Sequence, residues 1–102
     1  MNTAASESEP ENLAQVESLC RDLFGQDLLV LARALPVLMT SIQFMRVGYW
    51  AGKLRESTGN PQAQRQLVEA MPPQYRILLC RSLVDPDYFR ACATRLARLG
   101  RQ

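Results

Sequence analysis

Histidine is absent from this chain of 102 residues, and lysine occurs once, as Lys53. Without an imidazole no side chain has an ordinary pKa that makes it a base near neutral pH, so Ser-His and Cys-His nucleophile pairs cannot form within one chain. There is also no Cys-x-x-Cys pair, no cluster of acids at metal-loop spacing and no glycine-rich phosphate loop. That removes the common zinc, calcium and nucleotide sites. The expectation is a protein with no catalytic residues, no metal and no cofactor. Asp85 and Asp87 flank Pro86, where capping a helix is the expected role. Lys53 stands beside Arg55 and Glu56, which places it at an exposed helix end and not in a desolvated Schiff-base pocket.

Cysteine is scarce in a telling way. Cys20, Cys80 and Cys92 make an odd number with no close pair, which suits reduced thiols in the cytoplasm better than a disulfide framework. Each falls at an apolar helical position and is expected to act as a small core hydrophobe. The first ten residues, Met-Asn-Thr-Ala-Ala-Ser-Glu-Ser-Glu-Pro, contain no basic residue and no apolar run, so they do not resemble a signal or transit peptide. Residues 1–8 read as a disordered acidic tail, and residues 9–102 as a single helical domain. Strand-like alternation and long internal repeats are missing too. The fold class expected is all-α, with five to six short helices in a compact orthogonal or bundle-like array.

What the chain does have is an apolar middle. Residues 28–50 hold only Arg33 and Arg46 as charges and are interrupted by Pro36. The proline, Gln43 and both arginines argue against a membrane span, so no membrane association is expected. Burial on most sides is expected instead.

Capping chemistry divides the sequence. Ser8 with Pro10 starts a first helix, whose apolar stripe is Leu13, Val16, Leu19, Cys20, Leu23 and Phe24. Gly25 stops it in a left-handed conformation. Asp27 caps a second helix from Leu28 to about Leu35, and Pro36 breaks it. The third, Val37 to Leu54, has two apolar faces: Leu38, Ile42, Met45 and Tyr49 on one side, Val37, Phe44, Val47, Ala51 and Leu54 on the other. Ser41, Gly48 and Gly52 share a narrow arc where another backbone could approach. Asn60-Pro61 starts a helix to Met71, Pro72-Pro73 starts a buried one over Gln74 to Val84, and Asp85-Pro86 starts the last, ending near Leu99.

Charge is unevenly spread although the net is only +2. Residues 1–30 carry six acids against Arg21, and residues 76–102 carry six arginines against Asp85 and Asp87. The last helix sets Arg90, Arg95, Arg98 and Arg101 opposite its apolar side. The segment Met71-Pro72-Pro73-Gln74-Tyr75-Arg76, followed by Ile-Leu-Leu, resembles the opening of the DNA-binding region of bacterial sigma factors. The next residues depart from that family, since Val84-Asp85-Pro86-Asp87 leads straight into the final helix in place of a turn and recognition helix, so no residue role is carried over.

These features lead to a non-enzymatic protein-interaction module: an adaptor, regulator or chaperone-like subunit of the cytoplasm, expected as a homodimer or bound to an acidic partner protein. Met45, Tyr49 and Trp50 are the expected hydrophobic anchor. Arg90, Arg95 and Arg98 are the expected flank that meets acidic groups. The alternative is a DNA-binding regulator in which the same arginines, with Arg76 and Arg81, contact phosphate.

Overall fold

A computed structural model describes the backbone of residues 3–100 and the side chains of residues 14–100. Among these residues there are six helices and no strand: α1 (Thr3–Phe24), α2 (Gln26–Arg33), α3 (Ser41–Glu56), α4 (Pro61–Ala70), α5 (Pro73–Val84) and α6 (Pro86–Gly100). The all-α expectation is met. α1 begins ahead of the Ser8–Pro10 start, and the side chains of those residues, like the acidic tail expected over residues 1–8, lie outside the side chains described.

Gly25 serves two helices. Its N–H donates to the Arg21 carbonyl at 3.0 Å, closing α1, and its carbonyl accepts from Leu29 N–H at 3.2 Å, opening α2. Its φ of +92° is open to glycine at little cost, although ψ of 154° is extended and not the left-handed helical value expected. Because α2 starts one residue beyond this glycine, Asp27 is a first-turn acid favoured by the helix dipole and not the cap.

The larger departure is at α3. Residues 37–40 are not helical, and the helix starts four residues later than expected, at Ser41. Thr40 and Gln43 explain this: the Thr40 hydroxyl accepts from Gln43 N–H at 3.2 Å, and the Gln43 side chain accepts from Thr40 N–H at 2.9 Å. That reciprocal pair satisfies two orphan donors at once and fixes the start. The linker ahead of it is held from α6, where Tyr88 O–H donates to the Val37 carbonyl at 2.8 Å and Met39 N–H reaches Cys92 Sγ at 3.4 Å.

The core centres on α5, which packs against α1, α2, α3 and α6. The burial expected on most sides of residues 28–50 holds only in part: Leu29, Ala32, Met39 and Val47 are buried, whereas Val30, Leu31, Val37, Ile42, Met45 and Tyr49 are exposed. Pro72 and Pro73 launch α5, with Pro73 at its first turn. Tyr75, Leu78 and Leu79 join Met39, Val47, Met71, Tyr88 and Cys92 in one cluster, while Cys80 joins Cys20, Leu29 and Ala32 in a second. α4 is capped as its sequence implies, Asn60 Oδ1 accepting from Ala63 N–H at 3.1 Å. The Asp85 carboxylate does the same for α6, accepting from Tyr88 N–H at 3.3 Å.

Two arginines tie helix ends together. Arg76 Nε donates to the Met71 carbonyl at 3.0 Å and Nη2 to the Glu69 carbonyl at 3.2 Å, closing the end of α4. From α5, Arg81 Nη1 donates to the last carbonyls of α2, Ala32 at 3.1 Å and also Arg33. Arg81 further pairs with Asp85 at 3.2 Å and lies 4.7 Å over the Tyr88 ring.

Candidate protein-binding surface

The start that Thr40 imposes fixes the rotation of α3. On the inward side Val47 and Leu54 are buried, Phe44 and Ala51 pack against the core, and the Phe44 ring stacks on Phe89 of α6 at 4.7 Å. The opposite side stays in water: Ile42 is 60% exposed, Met45 72% and Tyr49 58%. At 100° per residue these three fall within about 60° of arc. A methionine, an isoleucine and a tyrosine aligned in solvent form the kind of surface that anchors a partner. Of the two apolar faces expected of α3, one packs within the chain and the other does not.

Of the expected anchor residues, Met45 and Tyr49 stand together on this face. Trp50 does not. It is half-buried against the main core, and its ring approaches that of Tyr49 edge-on at 5.3 Å. Lys53 Nζ lies 5.6 Å from the Tyr49 ring centroid, adding a cation to the outer face. Arg46 is exposed next to it, donating to Tyr75 O–H at 3.2 Å. Around Gly48 and Gly52 nothing in the described chain comes within 4 Å of where a Cβ would stand, so the close backbone approach expected there does not occur within the chain.

The three arginines of α6 separate. Arg90 turns to Asp87, with which it forms an exposed ion pair. Arg95 and Arg98 line an open groove of about 590 Å³ together with Leu38, Ala91, Thr94 and Leu99. From Leu38 the chain runs through Thr40 into Ile42, so groove and α3 face are joined in sequence. No known family model, curated protein or solved structure matches this chain.

The remaining reactive groups are internal. Cys20, Cys80 and Cys92 are free and fully buried. Contact with Cys80 and burial push the Cys20 thiol well above its ordinary range, so it is a neutral thiol at physiological pH. Among the described residues no three His, Cys, Asp or Glu side chains converge as a metal site requires, and no helix is long and apolar enough to cross a membrane. The sequence reading missed the groove and the structural use of Arg76 and Arg81. The groove depends on how residues 34–40 turn against α6, which no local pattern encodes. The arginines' roles were partly signalled, since Arg81 lies four residues before the helix-capping Asp85.

Proposed function

We propose that this chain is a small non-enzymatic protein-interaction module, an adaptor, regulator or chaperone-like subunit of the cytoplasm, that docks through the outer face of α3. One observation carries the reading: Ile42, Met45 and Tyr49 lie more than half exposed on one helix face whose opposite side is core. Val37, in the linker ahead of α3, is a further exposed apolar residue at 63%. Apolar side chains in such a group lose water contact favourably on docking, at about 25 cal/mol per Å² buried. Arg46, beside them, favours a partner with acidic groups around its apolar contact, while Lys53 already pairs with Glu56 at 3.7 Å.

A DNA-binding role has less behind it. Arg76 and Arg81 are occupied with helix-end carbonyls, and Arg90 with Asp87, which among the described residues leaves Arg95 and Arg98 of the expected phosphate contacts; Arg101 lies outside them.

A photo-crosslinking amino acid at position 45 or 49, in cells, tests the proposal against the same label at Gln66 on the outside of α4. Discrete protein adducts from positions 45 and 49 alone, or a crosslinked dimer, are expected. Identical adducts from all three positions contradict a docking role for α3.

A further inference from the structure

The α6 groove differs from the α3 face in being lined from two elements, α6 and the linker residue Leu38. Leu38, Ala91 and Leu99 are its apolar lining, or floor, and Thr94, Arg95 and Arg98 complete it, with no acidic residue among them. Arg33, Arg81 and Arg90 each pair with a carboxylate, whereas Arg95 and Arg98 are exposed and form no salt bridge among the described residues. Resting on the docking role proposed above, we infer that this groove receives an acidic amphipathic helix of a partner protein, its apolar edge on Leu38, Ala91 and Leu99 and its flanking carboxylates on Arg95 and Arg98.

The dimensions favour a helix. Ala91 and Leu99 are separated by about 12 Å along α6, and two turns of an incoming helix cover about 11 Å. Positions i, i+4 and i+7 of that helix then meet the floor, the helix-in-groove mode of recognition. A strand-adding peptide would need a sheet edge, and among the described residues there is no strand; a polyproline ligand would need an aromatic-lined groove, and no aromatic residue lines this one. Arg95 and Arg98 are about 4.5 Å apart along the axis, a spacing matched by carboxylates one turn apart on a neighbouring helix. Guanidinium forks bind carboxylates in pairs and speed encounter with an acidic partner. Nucleic acid would satisfy the arginines but leave the apolar floor without a counterpart.

The probe is a displayed library of helical peptides with randomised surface positions, selected on the folded full-length chain. Winning peptides should carry an apolar stripe flanked by Asp or Glu. Their affinity should fall about tenfold or more on R95E/R98E and on L99D, and should weaken as salt is raised. Both variants alter exposed side chains, so their thermal midpoints should match the parent's. Winners without an acidic bias overturn the groove assignment, as do winners that bind R95E/R98E and L99D as well as the parent. If those same peptides are lost on M45D, docking through α3 survives and only the groove fails. No helical binder at all, or an Arg95- and Arg98-dependent DNA duplex in its place, overturns the groove assignment, while docking through α3 stands or falls on the crosslinks from positions 45 and 49.

Discussion

Arg81→Ala removes the strut between α5 and the end of α2. The side chain is only 17% exposed, and its guanidinium serves the Ala32 and Arg33 carbonyls, the Asp85 carboxylate and the Tyr88 ring. A hydrogen bond from a charged donor contributes about 1.5–3 kcal/mol. The ion pair adds little, because Asp85 is 39% exposed and solvent screens it, so about 0.5 kcal/mol is assigned to it. The cation–π contact contributes about 1 kcal/mol. Against these stand about 2 kcal/mol of side-chain entropy regained on truncation and relief of Arg81 Nε, which is buried without a partner. With the two carbonyl hydrogen bonds taken at the low end of that range, a net loss of about 2–3 kcal/mol follows. Urea unfolding followed by circular dichroism should show a midpoint lowered by about 1–2 M at an unchanged slope. In hydrogen exchange, the Ala34 and Leu35 amides, bonded to the Leu31 and Ala32 carbonyls, should lose protection first. Arg81→Lys keeps the charge but not the fork, and should recover less than half the loss. A midpoint within about 0.3 M of the parent's would refute the strut.

Three further outcomes follow from named contacts. Thr40→Ala breaks the α3 capping box and should cost about 1 kcal/mol in urea unfolding, and an unchanged midpoint would show that something else sets the helix start. Burial, with Cys92 beside it, pushes the Tyr88 hydroxyl up to about 12 from about 10. The folded state therefore holds a proton that the unfolded chain releases, so the linked stability, about 2–3 kcal/mol, is whole below the unfolded value and is lost as pH rises through the folded one. Tyr88→Phe should flatten that alkaline decline, and an identical pH profile for both chains would contradict the burial of the phenol. Cys20, Cys80 and Cys92 should react with a thiol reagent only at the rate of unfolding, and fast labelling of any of them in the native state would remove it from the core.

Much of the fold could be read from the sequence because its boundaries are chemical. Asn60-Pro61 and Asp85-Pro86 each place a capping side chain ahead of a proline that fits the first turn, and both helices start there. The run from Tyr75 to Cys80 has almost no polar side, and α5 is the buried hub. At α3 the apolar pattern misled. Val37, Leu38 and Met39 continue the helical hydrophobicity without being helical, because Thr40 and Gln43 form a capping box and Val37 and Met39 are held by Tyr88 and Cys92. The surplus of apolar residues in α3 was visible, but which face stays outside depends on where α5 and α6 pack. Arg95 and Arg98 were legible as basic and exposed; their sharing a groove with Leu38 rests on a contact distant in sequence.

Methionine oxidation tests the central claim most directly, because Met45 is 72% exposed while Met39 and Met71 are buried at 0% and 1%. Dilute peroxide on the native, dilute chain, read by peptide mass mapping, should convert Met45 at close to the rate of an unfolded control and leave Met39 and Met71 nearly untouched. Equal protection of all three at every protein concentration would mean that the outer face of α3 is covered within the chain, leaving no apolar surface for a partner.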